Sequence, residues 1–304
     1  MSFLQIGSLN IEHLSGASRD DKKQTAYAIS EHIEMAGIDI LALQEIYVTS
    51  TDDDGRRRNS ELDRICELLE EHLRVKWDYK LYPKRQTNRK TQLVALLWNT
   101  SRVRKSDEMK IPVDHEKDGF PLWDRAPHAV KFSMLMDVWV KTDGVWKQQE
   151  EQKSIIVIPV HMKSNYGGPT KARRVRQREA KTLVDNLPEV REILQDESIV
   201  IIGDTNCLNA YEPAIETFVD AGFRDLNNND SATYWSKSYG ESPFDRAFVA
   251  EGRNEFKYTR QYVLRSSDLN RHDRFISDHY MIKISVKTYL DDSDPRGGPQ
   301  NDQV

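Results

Sequence analysis

The sequence predicts an α/β chain built on mixed β-sheets, and three observations predict it. Short runs rich in β-branched or large apolar residues recur along the 304 residues. Helical patterns fall between some of them, and two of the runs adjoin through a tight turn instead of a helix. In chain order the runs are FLQIGSL (3–9), IDILALQEI (38–46), QLVALLW (92–98), KFSMLMDVWVK (131–141), SIIVIPVHM (154–162), SIVIIGDTN (198–206), FDRAFVA (244–250) and HYMIKISV (279–286). Apolar positions recur at helix spacing over Asp21 to Ala36, Ser60 to Leu73 and Lys171 to Leu187. The Thr-Asp-Gly turn at Thr142 to Gly144 joins two runs directly, which reads as an antiparallel hairpin and argues against a simple doubly wound sheet.

A chain of this length buries a substantial core, and no Pro- or Gly-rich linker or internal repeat divides it, so one domain is expected over 1–289. TSTDDDGRRRNS (49–60) reads as an exposed loop, and the polar tail over 290–304 has the composition of a disordered end. The hydrophobic share is 38% and the charged share 31%, a composition that excludes disordered and membrane-spanning classes. With a net charge of -5 the whole chain is not a cationic body, so any polyanion site must be local. The two cysteines, Cys66 and Cys207, lack metal-ligand spacing and argue for a reducing compartment. No signal peptide or bilayer-length segment precedes or interrupts the runs, and a cytoplasmic location without membrane contact is expected.

Several apolar runs end in polar residues of the kinds used for metal and phosphate chemistry. Asn10 and Glu12 follow the first, Glu45 closes the second, His161 ends the fifth, and Asp204 and Asn206 end the sixth. Asp245 opens FDRAFVA after Phe244, and Asp278-His279 opens the last. Each has a bland reading when taken singly: a strand-terminal charge for Glu45, a turn for Gly-Asp-Thr-Asn, a hydrogen-bonded core histidine for His161. Together they supply what phosphodiester hydrolysis needs. Glu45, with Asn10 or Asp278, suits a hard cation such as Mg²⁺, which keeps waters and takes one or two carboxylates. Asp204 orients or deprotonates water, Asn206 holds a non-bridging oxygen, and the histidines donate protons to growing charge, Asp245 fixing a tautomer.

Ser8-Leu-Asn10, Leu43-Gln-Glu45, Pro159-Val-His161, Gly203-Asp-Thr-Asn206, Phe244-Asp-Arg246 and Ser277-Asp-His279 stand in the order found in the endonuclease/exonuclease/phosphatase superfamily, and the chain resembles its deoxyribonuclease I-like members. The resemblance spans nearly the whole chain. It implies a four-layer α/β sandwich, two packed mixed sheets flanked by helices, with a cleft at the strand ends. It also implies Asn10 and Glu45 near the metal, Asp204 and Asn206 handling nucleophile and phosphate, His161 and His279 as the catalytic pair, and Asp245 supporting His279. Asp278 and Glu12 are further metal candidates; Mg²⁺ is the expected ion, with Mn²⁺ as its alternative and Ca²⁺ as a structural or accessory ion. His161 stands where AP endonucleases carry asparagine, which argues against abasic-site repair. The Trp-Cys-Asp-Arg signature of inositol phosphatases is absent, and no clear aromatic hairpin of the sphingomyelinase kind is visible. Thr91 and Gln92 occupy the place of the glutamate that supports the first histidine in deoxyribonuclease I, so His161 is expected to be held differently.

The expected substrate is nucleic acid, DNA first. Basic residues flank the site segments at Lys163 with Lys171, Arg173, Arg174, Arg176 and Arg178, and at Lys84, Arg85, Arg89 and Lys90. Lys163 and Arg173 read as phosphate contacts, while Arg176 and Arg178 read as a solvated helix face. Arg125 resembles an arginine that contacts backbone phosphate in deoxyribonucleases, and Tyr166 sits on a Gly-rich loop from which it can stack on a base. The alternatives are a phosphatase or phospholipid phosphodiesterase of inositol phosphate or sphingomyelin type, and a catalytically silent binding protein.

Overall fold

The computed structural model describes residues 3–15, 24–84, 91–142 and 144–288, with the backbone alone over 135–142 and 146–151. Arg85, Arg89, Lys90, the tail over 290–304 and the start of the first expected helix lie outside the described residues. In the first half, β1 (Leu4–Leu14) leads through α1 (Ala26–Ala36) to β2 (Ile40–Ile46). A small hairpin of β3 (Ser50–Thr51) and β4 (Arg57–Arg58) precedes α2 (Ser60–Leu73), β5 (Trp77–Tyr82) and β6 (Leu93–Asn99). Next come β7 (Arg104–Lys110), the short β8 (Glu116–Lys117) and β9 (Phe120–Pro121), and the long β10 (His128–Thr142) and β11 (Val145–His161). The second half holds α3 (Pro169–Asp185), α4 (Leu187–Leu194), β12 (Ile199–Asp204), α5 (Pro213–Asp220) and β13 (Phe223–Asp225). It ends with β14 (Tyr234–Ser236), β15 (Gly240–Ser242), β16 (Asp245–Ala250), β17 (Gln261–Leu264), α6 (Leu269–Phe275) and β18 (Met281–Val286).

Two six-stranded mixed sheets form, in the orders β17-β18-β1-β2-β6-β5 and β13-β16-β12-β11-β10-β7. β1 runs parallel to β2 and β11 parallel to β12, while β10 and β11 form the expected antiparallel hairpin, Thr142 opposite Val145. All eight sequence runs are strands of these sheets. The edge strands β5 and β7 were not among them: β7 is RKSDEMK, largely exposed, a charged edge that carries no apolar signal and resists pairing with other chains.

The side-chain period of two sorts each strand into layers. Leu4 and Ile6 of β1 and Ile40 and Ala42 of β2 face the second sheet, while Leu9, Ile11, Leu41 and Leu43 pack against Ile29 and Ile33 of α1 and Leu62, Ile65 and Leu69 of α2. Val175, Ala180 and Leu183 of α3, Val190 of α4 and Phe218 of α5 cover the outer face of the second sheet. The result is a four-layer α/β sandwich. Asn59 caps α2 by accepting from the Leu62 N–H, and Gly37 closes α1 at φ 62°. The shared directions of β1, β2, β11 and β12 gather their carboxyl ends on one face, and β6, β10, β16 and β18 begin there.

Candidate active site

Along β1, Ser8 and Asn10 share parity with Leu4 and Ile6, so Asn10 projects between the sheets at the end of the central layer, 2% exposed. Glu45 has the opposite parity, that of Leu41 and Leu43, and regular β structure would aim it at the helices. A bulge prevents this: the pairing of β2 with both neighbours shifts beyond Leu43 and Asn10, and Glu45 itself adopts φ 64°. The re-aimed carboxylate accepts from Asn10 Nδ2 at 3.3 Å and from Gln92 Nε2 at 2.8 Å. Glu12, His13 and Asn206 also hold positive φ, at 48°, 65° and 55°, a concentration of unfavourable backbone at one end of the molecule.

On the second sheet, register places His161 beside Asp204 and Asp204 beside Asp245, a row across three neighbouring strands. Gly203 makes this possible: its φ is 151°, and a Cβ there would stand 2.0 Å from the Val160 carbonyl oxygen. Asp204 Oδ2 accepts from Asn10 Nδ2 at 3.0 Å and lies 3.5 Å from His161 Nε2, while Oδ1 accepts from the Asn206 backbone N–H at 2.9 Å. Asn206 Nδ2 donates to the Met162 carbonyl at 3.3 Å.

His279 completes the row from the first sheet. Its Nδ1 lies 2.8 Å from Asp245 Oδ2, and Ser277 Oγ accepts from its backbone N–H at 3.0 Å while donating to the Asn10 carbonyl. Thr233 Oγ1 accepts from the Asp245 backbone N–H at 2.8 Å, and the Tyr234 ring lies 5.0 Å from that of His279. Asp278 and Glu12 meet at the rim, where the Asp278 N–H donates to Glu12 Oε2 at 3.3 Å.

Burial and charge drive these groups apart in protonation. Burial alone would lower the His279 pKa, yet Asp245, with Asp204 and Asp278, holds it up at about 10. His161 goes the other way: burial first, then Arg125, His279 and His13, push it well below the usual imidazole range. Burial raises the Asp204 carboxyl to about 7, against the opposing pull of His279. The site therefore holds a cationic and a neutral histidine on either side of a carboxyl poised near neutrality. His161 Nδ1 and Asp245 Oδ1 are buried without a hydrogen-bond partner among the described residues.

The expected residues Asn10, Glu45, His161, Asp204, Asn206, Asp245 and His279 thus converge, with Glu12 and Asp278 beside them. The support for His161 differs as expected: Gln92 bonds Glu45 and Arg125 instead. Tyr166 is 89% exposed, and Arg173 leans outward within 4.0 Å of Glu212. One reading is corrected. Arg176 is no solvated helix residue but fully buried, paired with Glu212 at 2.7 and 2.9 Å and donating to the Lys163 carbonyl and Asn165 Oδ1. Asn165 in turn donates to the Asn206 carbonyl, so this pair ties the loop after β11 to the loop after β12. A hairpin invisible in the sequence, β14–β15, carries Tyr239, which is 85% exposed. His13 also escaped notice, although its place three residues after Asn10 was a usable signal; Glu212 had none.

Among the described residues, no three His, Cys, Asp or Glu side chains are grouped to hold a metal ion. Around Glu45 stand Asn10 Nδ2, Gln92 Nε2 and His13 Nδ1, so the oxygens on offer to a hard cation are those of the carboxylates themselves.

No protein-family model matches the chain, and no curated protein matches it. Solved structures match its fold. An endonuclease/exonuclease/phosphatase protein from Bacteroides vulgatus aligns over 95% of this chain and 100% of its own, with a TM-score of 0.60 and 13% identity. D. rerio TDP2 complexed with a single-strand DNA product aligns over 95% and 100%, with a TM-score of 0.56 and 14% identity. A mannosyl-6-phosphatase from Bacteroides thetaiotaomicron aligns over 93% and 99%, with a TM-score of 0.55 and 15% identity. The chain has the endonuclease/exonuclease/phosphatase fold. Among the described residues, no helix is long and apolar enough to cross a membrane.

Proposed function

We propose that this chain is a metal-dependent phosphoester hydrolase, with Mg²⁺ as its ion and nucleic acid, DNA first, as its substrate. The observation that carries the reading is the contact of Asn10 Nδ2 with both Glu45 and Asp204, which sets an acidic pocket from one sheet against the His161–Asp204–Asp245 row of the other. Glu45 would hold the ion, with Asn10, Asp278 or Glu12 completing its surroundings, and the ion would supply charge neutralisation at the phosphoryl oxygens. Asp204, once deprotonated, orients the attacking water and takes its proton. Asn206 and neutral His161 donate to the phosphoryl oxygens, and His279, kept cationic by Asp245, stabilises charge as the phosphorus is attacked. Arg125, Lys163 and Arg173 flank the cleft as phosphate contacts, and Tyr166 stands free to stack.

TDP2, which shares this fold, is known with a DNA product, and that favours nucleic acid. The second reading, a phosphatase, draws on the equal likeness to the mannosyl-6-phosphatase. A panel of supercoiled plasmid, single-stranded DNA, RNA and a sugar phosphate, each with Mg²⁺ and with EDTA, separates them. Mg²⁺-dependent nicking or shortening supports the nuclease; release of inorganic phosphate from the sugar phosphate alone supports the phosphatase. Inactivity on every member under Mg²⁺, Mn²⁺ and Ca²⁺ overturns both readings.

A further inference from the structure

Glu179 of α3 is buried and takes no part in the reaction steps above. Its two oxygens accept from main-chain donors that lie far apart in the sequence. Oε1 takes the Trp123 N–H at 2.9 Å, and Oε2 takes the Lys163 N–H at 2.9 Å. The first donor precedes Arg125 by two residues, and the second follows His161 by two. Burial raises the Glu179 pKa, while the Lys163 and Trp123 N–H groups, then Arg125 and Arg176, act to lower it.

Trp123 adopts φ 45°, a costly conformation for a residue other than glycine, and α3 grips its ring as well as its backbone. The indole Nε1 donates to the Glu179 carbonyl at 3.0 Å and to Thr182 Oγ1 at 2.9 Å. After His161, four successive main-chain groups are claimed by other segments. The Met162 N–H donates to the Asp204 carbonyl, the Met162 carbonyl accepts from Asn206, the Lys163 N–H donates to Glu179, and the Lys163 carbonyl accepts from Arg176. Of these partners, Glu179 also holds the Trp123 segment. Arg125, carried by that segment, donates to Gln92 Oε1, and its charge helps to lower the His161 pKa. A carboxylate suits this post because it accepts on both oxygens, whereas a glutamine would turn its NH₂ donor against one of the two N–H groups.

We infer that Glu179 is a positioning residue: its carboxylate pins the Arg125 segment and the segment after His161 to one point on α3, and so sets the spacing of the Arg125 and Lys163 phosphate contacts. The inference rests on the phosphoester reading above, in which those two side chains meet substrate phosphates. Its test uses the full chain with Mg²⁺. In the parent, the Trp123 and Lys163 amides should exchange slowly with solvent, and fast exchange of either overturns the inference without any variant. Glu179→Gln should release one of the two amides and shift the ¹⁵N resonance of Arg125 Nε. For a single-stranded oligonucleotide, KM should rise about 10-fold while kcat changes by less than about 3-fold. The slope of log(kcat/KM) against log salt should lose about 0.7 for each phosphate contact displaced. Arg125→Ala should act in the same direction, and the double variant should fall short of the sum of the two. Gly222→Ala is the control for a purely structural effect: Phe223 beside it pairs with Ala250, at the opposite end of β16 from Asp245. It should lower Tm and leave KM and the salt slope in place. A Glu179→Gln protein that keeps the parent's Arg125 resonance, KM and salt slope, or one that loses kcat and Tm together at unchanged KM, overturns the inference. If the parent hydrolyses no phosphoester, the phosphoester reading fails, and amide exchange with the Arg125 resonance still decides whether Glu179 positions the two segments.

Discussion

Asn10 Nδ2 donates to Asp204 Oδ2 at 3.0 Å, joining two residues that lie 194 positions apart and belong to different sheets. The same nitrogen reaches Glu45 at 3.3 Å, so one amide holds the two halves of the site in register. Asn10→Ala removes a donor that helps to hold the Asp204 carboxyl down against burial. Its pKa should rise above about 7, moving the acid limb of the pH–rate profile to higher pH, with about 1–3 kcal/mol lost from stability. An unchanged limb in stopped assays across pH 5 to 9 would count against Asp204 as the titrating base.

Asp245 keeps His279 cationic through a 2.8 Å contact. Activity that needs deprotonated Asp204 and protonated His279 should rise through about 7 and fall through about 10. Asp245→Asn removes the charge that raises the imidazole, so the alkaline limb should move down, with turnover reduced roughly 10²-fold or more. NMR titration of the His279 ring in both proteins measures the same displacement directly.

Arg176 and Glu212 are both fully buried and satisfy each other twice over. Truncating one partner strands the other, and Arg176→Leu or Glu212→Gln should cost about 3–5 kcal/mol in urea unfolding. Because the pair binds the loops after β11 and β12, surviving folded enzyme should also lose kcat. A double variant, Arg176→Leu with Glu212→Leu, should recover part of the stability and none of the rate.

Gly203→Ala places a methyl group 2.0 Å from the Val160 carbonyl, a backbone atom that cannot step aside without breaking the β11–β12 ladder. A loss of about 3 kcal/mol or more is expected. Gly222→Ala is the contrast: its φ is also positive, at 82°, but nothing stands within 4 Å, so only the backbone strain of about 1 kcal/mol should appear. Thermal melts of the two variants compare them.

His32 and His128 are held neutral at pKa values of about 4, each mainly by burial, with His272 adding to the effect at His32. The unfolded chain takes up protons near pH 6.5 and the folded chain does not until about 4. Stability is therefore unaffected above about pH 7 and falls as pH drops through that window, by about 2 kcal/mol per histidine at pH 5. Urea midpoints at pH 5 and 7.5 check the slope, and His32→Phe should flatten it.

The sequence by itself marked eight of the strands and the polar residues at their ends. Each core run is apolar because both faces of its sheet are covered, and each stops at a polar residue, so FLQIGSL before Asn10 or SIVIIGD before Asn206 needs no tertiary knowledge to be read. The edge strand β7 was silent because an exposed, charged strand has no apolar period to detect. What only the tertiary structure decided was where the boundary residues point and what they meet. Parity alone would send Glu45 toward the helices; the bulge, visible only through the slipped ladders, turns it to the cleft. Arg176 sits in a run of basic residues that reads as solvated, and its burial depends on Glu212 arriving from another loop. Hydrophobic period is a local property of the chain, whereas a side chain's protonation and partners are set by whichever distant segments the packing brings beside it.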